Sequence, residues 1–204
     1  MKKQIFAILM SAALLAGVFT GCGNSSTGDT TTTTGAETTT ATETTTQTTT
    51  ANDETTTASN VKDGVYSTKS YSISVPEGWT CDGNDSMVMM LPSKDMSKAD
   101  ASINIISISG GAEIYDLKYD DFKASMDKSL GAEIEKKSFG IQNFGENKAL
   151  FSEFSAEVQG QKMYMSAAYV LVNDTIVTLT LTEQEENKYD DVFKTILESV
   201  KATA

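Results

Sequence analysis

The sequence of 204 residues contains no histidine and no arginine, and all 16 of its basic residues are lysines. Without histidine the chain cannot form a Ser-His-Asp or Cys-His catalytic set, an imidazole zinc site or a histidine pH switch. Without arginine it has no bidentate clamp for phosphate or carboxylate groups. Proline and cysteine are scarce, with two of each. These absences exclude much of nucleophilic and phosphoryl-transfer chemistry.

Acidic residues outnumber basic ones by 28 to 16, which gives a formal net charge of −12. Nucleic-acid binding depends on clustered positive charge that neutralises phosphates, so this chain would be repelled by DNA and RNA. We therefore expect no nucleic-acid partner. The sequence also contains no motif for a cofactor or a resident metal ion, and we expect neither.

The amino terminus has the organisation of an export signal. A short basic start, residues 1–4, precedes a nearly unbroken apolar run over residues 5–19. This run is shorter than the roughly 20 residues that a helix needs to cross a bilayer. We expect it to be removed as a signal rather than retained as a membrane span.

Residues 18–22, Val-Phe-Thr-Gly-Cys, resemble the lipobox of bacterial lipoproteins, in which small residues precede a cysteine that is lipidated after cleavage. We expect residues 1–21 to be a lipoprotein signal peptide and Cys22 to carry a diacylglyceryl group. Two acyl chains are what stable attachment to a lipid bilayer requires. Cys81 is then left without a disulfide partner, so the exported domain must be stabilised by its core.

Residues 22–60 are predicted to form the lipidated cysteine and a disordered tether. Of residues 23–60, 19 of 38 are threonine, and none is Leu, Ile, Val, Phe, Tyr or Trp. Such a segment cannot bury enough apolar surface to offset the entropy of ordering it. As a flexible coil its ends would lie about 35 Å apart. A spacer of this length favours a domain held above a thick, Gram-positive-type cell wall.

Residues 61–204 are long enough for one globular domain with a substantial core. In the whole chain after the signal peptide, tether included, 14 lysines face 28 acids, a net charge of −14. This charge favours solubility and discourages adhesion to anionic lipid. Membrane attachment is therefore left to the acyl chains.

Strand patterns occupy most of this domain. Residues 71–75 alternate as Tyr-Ser-Ile-Ser-Val before Pro76, which breaks the ladder. Asn173-Asp174 lies between two apolar runs and predicts a two-residue hairpin turn, since both residues tolerate positive φ. The remaining predicted strands are residues 87–91, 101–108, 134–141, 149–158, 163–172 and 175–181.

Two segments have the period of a helix. Residues 116–130 place apolar side chains broadly on one side and end before Gly131, which suits a left-handed C-cap. Residues 189–200 carry one apolar stripe at helical spacing, and Thr182 with Glu185 offers a capping box upstream. The order of elements predicts an α+β fold, an α/β sandwich with a largely antiparallel sheet packed by two main helices.

Tyr71 and Ile73, followed by Pro-Glu-Gly-Trp at residues 76–79, resemble the opening pattern of the PsbP-like family, which includes bacterial DcrB-type lipoproteins. The resemblance covers about residues 71–200 and includes the central helix, the long hairpins and the terminal helix. Members of this family are mostly accessory and binding proteins without a catalytic centre. The resemblance therefore implies a PsbP-like domain over residues 61–204, but not its ligand.

Several polar groups could carry chemistry, and each has a structural explanation that we favour. Residues 82–86 space oxygen donors as a calcium loop does, but Met87 and Ser93 stand where that loop needs glycine and glutamate, so we predict a polar turn. Cys81 is expected to be inert, because nearby aspartates oppose thiolate formation. Three carboxylates at the predicted start of the first helix are explained by the helix dipole: Asp116, Asp120 and Asp121.

Methionines in the strands are expected mainly to fill the core, since Met packs well into irregular gaps. They also suggest a soft apolar surface, should one face of the sheet be uncovered. The binding surface predicted on this basis consists of Trp79, Met163, Met165 and Tyr164.

The leading hypothesis is an extracytoplasmic lipoprotein, anchored to the bilayer through acylated Cys22, whose domain is a non-catalytic binding or accessory module for an unknown envelope protein or ligand. Two alternatives stay open. One is a small-molecule or metal-ion carrier, suggested by the acids and methionines. The other is a hydrolase that uses paired carboxylates in place of histidine.

Overall fold

A computed structural model describes residues 60–95 and 98–203. The predicted signal peptide, the predicted lipidation site Cys22 and residues 23–59 of the predicted tether lie outside the described residues. The described part corresponds to the predicted globular domain.

Strands dominate the domain, with one short 3₁₀ helix and two α-helices between them. The described strands are β1 (Val61–Lys62), β2 (Val65–Ser67), β3 (Tyr71–Ser74), β4 (Thr80–Gly83), β5 (Met87–Leu91), β6 (Ala101–Ser109), β7 (Ile134–Phe144), β8 (Asn147–Val158), β9 (Gln161–Val172), β10 (Thr175–Glu183) and β11 (Lys201–Ala202). The helices are the 3₁₀ helix (Ala112–Asp116), α1 (Tyr119–Leu130) and α2 (Asp190–Ser199).

Two sheets are formed, and all their described ladders are antiparallel. The large sheet has seven strands in the order β4-β5-β6-β10-β9-β8-β7, and the small sheet has the order β1-β2-β3-β11. Register in the large sheet is continuous across its centre, where Glu183 of β10 pairs with both Ala101 of β6 and Tyr164 of β9. Side chains two residues apart along a strand therefore share one face.

One helix covers each face of the large sheet. On one face, Phe122 and Met126 of α1 pack on an apolar cluster that includes Phe154 of β8. On the other, Phe193 and Ile196 of α2 pack on a second cluster, which the small sheet extends. The fold is therefore the predicted α+β sandwich with a largely antiparallel sheet and two main helices.

Local chemistry explains several of the boundaries. Helix α1 ends at Leu130 and is followed by Gly131, whose φ of 65° supplies the predicted left-handed cap. Asn173 has a φ of 53° and turns β9 into β10 as predicted. The β8–β9 turn uses the same device at Gln159 and Gly160, with φ values of 54° and 78°.

Two predicted boundaries are wrong. Helix α1 begins at Tyr119 rather than at Asp116, because Asp116 closes the separate 3₁₀ helix. The capping box of Thr182 and Glu185 does not form, because β10 continues through Glu183 and α2 begins only at Asp190. The sequence does not predict the short strands β1, β2, β4 and β11, because each has two to four residues and none shows the alternation that marks β3.

Candidate ligand-binding cavity

The α2 face of the large sheet changes character along its strands. Under the helix it is apolar, with Phe151 of β8 and Ala168 of β9 in the core. One or two residues further along the same face, the same strands carry polar groups instead. These are Glu153 and Ser155 on β8, Tyr164 and Ser166 on β9, and Glu183 at the end of β10.

A half-open cavity of about 270 Å³ lies over this polar end of the face. Side chains of β8 and β9 line it, together with Glu186 and Asn187 of the β10–α2 connection and Asp190 at the start of α2. The volume is close to that of small ligand sites in proteins, which begin at roughly 300 Å³. The cavity therefore lies where the helix stops covering the sheet.

One wall is built by a β-bulge in the edge strand β7. Lys137 is the extra residue of this bulge, between Lys136 and Ser138 in the ladder with β8. Its ammonium donates to Asn187 Oδ1 at 2.6 Å and lies 3.3 Å from Glu186 Oε1. The bulge thus ties the sheet edge to the β10–α2 connection.

The side chain of Glu183 binds the backbone of the β10–α2 connection. Its side chain accepts the backbone N–H of Asn187 at 2.8 Å and that of Tyr189 at 2.9 Å, one at each carboxylate oxygen. The residue is only 3% exposed. Burial raises the pKa of Glu183, the Tyr189 hydrogen bond opposes this rise, and the charge of Asp190 adds to it.

Two further carboxylates, those of Glu153 and Asp190, line the cavity. Glu153 accepts a hydrogen bond from the Ser138 hydroxyl at 2.7 Å. Burial and then the nearby charge of Glu153 raise the pKa of Asp190 above its ordinary value, against weaker opposition from Lys194 and Lys137. Neither carboxylate has a lysine within 4 Å in the described part of the chain. Five carboxylates and three lysines line the cavity, so negative charge is in excess there.

Hydroxyl groups complete the lining. Ser155 donates to Glu135 at 3.3 Å near the rim. Ser166 lies opposite Glu153 in the β8–β9 ladder and is 6% exposed. Its hydroxyl makes no hydrogen bond to any residue that the structure describes. Its oxygen is not among the fully buried, unpaired atoms of the described domain, so it opens onto the cavity, where water or a ligand can bond it.

The four residues of the predicted binding surface do not form one surface. Met163 and Met165 are buried on the α1 face, 4% and 5% exposed, whereas Tyr164 between them faces the cavity. Strand alternation separates them, because neighbouring side chains point to opposite faces. Trp79 packs at the margin of the α2-side core and meets the Tyr189 ring edge-on, with ring centroids 5.3 Å apart.

The other sequence candidates take structural roles. In the β4–β5 turn the Asn84 side chain accepts the backbone N–H groups of Ser86 and Met87 at 2.9 and 3.1 Å, so this segment is a polar turn. Burial and then the charge of Asp82 raise the pKa of Cys81 to about 12, which keeps its thiol protonated and unreactive near neutral pH.

Two kinds of feature are absent from the described residues. Across residues 60–95 and 98–203 no three cysteine or acidic side chains are arranged to hold a metal ion. No helix within the described residues is both long enough and apolar enough to span a bilayer.

Sequence reasoning missed the carboxylates of the cavity. A usable signal existed for Glu153, because its neighbours on the same face of β8, Ala149 and Phe151, are apolar. An acid that continues an inward-facing row is unusual, since charged residues are seldom buried without a partner. No comparable signal marks Asp190, whose proximity to β8 depends on how α2 is docked.

No protein-family model matches the chain, and no curated protein matches it. The domain is, however, similar to several solved structures. A protein from Bacteroides thetaiotaomicron is 9% identical with a TM-score of 0.46 over 66% of this chain, and the chain spans only 45% of that protein. Cyanobacterial PsbP (CyanoP) from Synechocystis is 14% identical with a TM-score of 0.48, over 65% of this chain and 86% of that one. LpqN, involved in cell envelope biogenesis of Mycobacterium tuberculosis, is 12% identical with a TM-score of 0.45, over 66% and 83%.

A PsbP, a member of the family that the sequence resembles, is thus among the solved structures to which the chain is similar. At these identities the similarity concerns the fold and assigns neither a ligand nor a partner.

Proposed function

We propose that this protein is a membrane-anchored extracytoplasmic lipoprotein whose PsbP-like domain acts as a non-catalytic binding module in the cell envelope. The observation that carries the binding role is the half-open cavity over the polar end of the large sheet. Its carboxylates and hydroxyls are fixed on antiparallel strands, and rigid elements of this kind hold a binding site in place.

The non-catalytic part of the proposal rests on the residues that line the cavity. They include serines and lysines but no histidine or cysteine that could form a nucleophile–base pair. Glu183 is occupied by two backbone N–H groups and Glu153 by the Ser138 hydroxyl. These contacts suit groups that hold a ligand in one orientation.

The anchor is proposed from the sequence. The export signal, the lipobox-like residues 18–22 and the threonine-rich segment describe a domain tethered through acylated Cys22 on the outer side of the cell membrane. The tether length favours a Gram-positive-type surface, and the net charge of −14 favours a domain that stays off anionic lipid.

A small-molecule carrier is the second candidate, and the cavity is the observation that favours it. Its volume suits a compact molecule rather than the extended surface of a large partner. Carriage of a metal ion has no comparable support within the described residues.

The anchor is tested by mass spectrometry of the mature protein purified from membranes of its native host. We expect an amino-terminal peptide that begins at Cys22 and carries the mass of a diacylglyceryl group. In a Cys22→Ala variant this peptide should be missing and the protein should leave the lipid-anchored fraction. An unmodified Cys22, or cleavage at another residue, would overturn the lipoprotein proposal.

A further inference from the structure

We propose that the cavity binds a primary ammonium group, with Glu153, Asp190 and the hydroxyl of Ser166 as its acceptors. The inference deepens the proposed binding role by naming the chemistry of the ligand. It rests on three features of the described domain: where the negative charge lies, how the neighbouring lysines are already engaged, and which buried hydroxyl has no partner.

The lysines near the cavity contact groups other than Glu153 and Asp190. Lys137 bonds Asn187 and pairs with Glu186, as described above. Lys162 lies 3.6 Å from the carboxylate of Glu135, and Lys136 stands over the Tyr119 ring, 4.5 Å from its centroid. None of these three lysines forms an ion pair with Glu153 or Asp190, and Lys137 offsets the negative charge at Asp190 only in part. An anionic ligand would therefore meet an excess of carboxylates, whereas a cation would relieve their repulsion.

The backbone places both carboxylates beside the cavity. Glu153 is also oriented by the Ser138 hydroxyl, and Asp190 lies in the first turn of α2. Both carboxylates line the same cavity, and the charge of Glu153 disfavours that of Asp190, so a cation bound in the cavity would relieve this repulsion. A hydrogen bond between ionised partners is about twice as strong as a neutral one.

Ser166 is the second, independent sign of a ligand. Its side chain is more than nine-tenths buried, lines the cavity and has no hydrogen-bond partner among the described residues. Its position opposite Glu153 in the ladder places both groups on the cavity floor. An ammonium has three N–H donors and no acceptor, so two carboxylates and one hydroxyl oxygen match its hydrogen-bonding capacity.

An ammonium suits this site better than a metal ion. No three acidic or cysteine side chains of the described residues are grouped to hold a metal ion. The space is also larger than a bare ion requires, and it leaves room for an alkyl stem beside the Tyr164 ring. The same chemistry is offered by a small free amine and by a lysine side chain of a protein partner.

The test is a titration of the whole domain with n-butylamine, followed by amide nitrogen–proton NMR spectra near neutral pH. We expect saturable shifts at Ser155, Ser166 and Asn187, with a dissociation constant on the order of 1 mM for so small a probe. Equal concentrations of 1-butanol and of acetate should leave these amides unshifted. Equal shifts with either compound would overturn the proposal, since they would need no positive charge.

Variants distinguish the site from general charge attraction. Glu153→Gln and Asp190→Asn should each weaken butylamine binding by about tenfold, because each removes one charged acceptor. Asp191→Asn is the matched control, because Asp191 adjoins Asp190 while its side chain is fully exposed. Equal weakening by the control, or no weakening by either cavity variant, would overturn the proposal. Well-dispersed spectra of the free variants show that each is folded.

The source of the ammonium is resolved by two further probes, cadaverine and Nα-acetyl-lysine methylamide. Tighter binding of cadaverine would support a small amine, whereas tighter binding of the lysine derivative would support a protein partner. If neither binds more tightly than 1-butanol, the ammonium assignment fails. Because these titrations do not depend on Cys22, their failure would leave the lipid-anchor test unaffected, and the reverse also holds.

Discussion

The two ends of helix α2 are finished in different ways. At the carboxyl end, the Asn147 side chain donates to the carbonyl oxygens of Leu197 at 2.8 Å and Val200 at 3.0 Å, so these carbonyls have partners. At the amino end, Tyr189 provides no side-chain cap, and Asp190 has no ion-pair partner within 4 Å among the residues that the structure describes. One end of the helix is closed by the protein itself, and the other end borders the cavity. Unmatched polar groups at a fixed position therefore distinguish a site from a packed core.

The largest effect is expected in the apolar core under helix α2. Phe193 of α2 is 1% exposed in the apolar core, and Phe193→Ala should lower the free energy of unfolding by about 3–5 kcal/mol, from lost burial and the space left behind. Urea denaturation of the domain measures this change. Lys194→Ala, at the next, exposed position, should change stability little. A loss below about 1 kcal/mol for Phe193→Ala would contradict the packing described here.

An intermediate effect on stability is expected at Glu183, which lies between the apolar core and the cavity. Glu183→Ala removes the acceptor of two backbone N–H groups, at Asn187 and Tyr189, and should cost about 1–3 kcal/mol. These two amides should also exchange hydrogen faster, because the β10–α2 connection is released. Glu185→Ala is the control, since its side chain is 74% exposed and only pairs with Lys188. Unchanged exchange at both amides would show that Glu183 does not hold the connection.

Much of the fold follows from periodicities in the sequence. The alternation of β3, the long runs of β8 to β10 and the stripe of α2 are each visible within one segment, because each reflects one exposed and one buried side. The failed capping box shows the limit of such reasoning. Thr182 and Glu185 have the right spacing, but ladder pairing to two neighbouring strands keeps Thr182 in β10, and tertiary pairing overrides a local signal.

The cavity could not be predicted in the same way, because its residues come from separate elements. Glu153 meets Ser166 only through the register of β8 with β9, and it meets Asp190 only through the docking of α2. Neither the strand register nor the docking of the helix can be predicted from a short stretch of sequence. Alternation alone, however, separates Tyr164 from Met163 and Met165, so that part of the predicted binding surface could have been rejected before the structure.

The smallest effect should appear at the open end of α2, and its sign is informative. The pKa of Asp190 is raised in the folded protein, so the folded state holds this proton more tightly and loses stability as pH rises through the raised pKa. Asp190→Asn removes the charge and should be slightly more stable near pH 7, by about 0.5 kcal/mol or less because the carboxyl is partly exposed. The gain should vanish below the ordinary pKa of aspartate, about 3.9, where both side chains are uncharged.

Thermal unfolding of Asp190→Asn at neutral and acidic pH measures this difference, with Asp191→Asn as its exposed neighbour. Two influences act on a carboxylate in the first turn of α2. The helix dipole favours its charged form at both positions, whereas burial and the charge of Glu153 disfavour the charged form at Asp190. We expect the second influence to win only at Asp190. If both variants lose stability near neutral pH, the dipole dominates at both positions, and repulsion in the cavity is too weak to favour a bound cation.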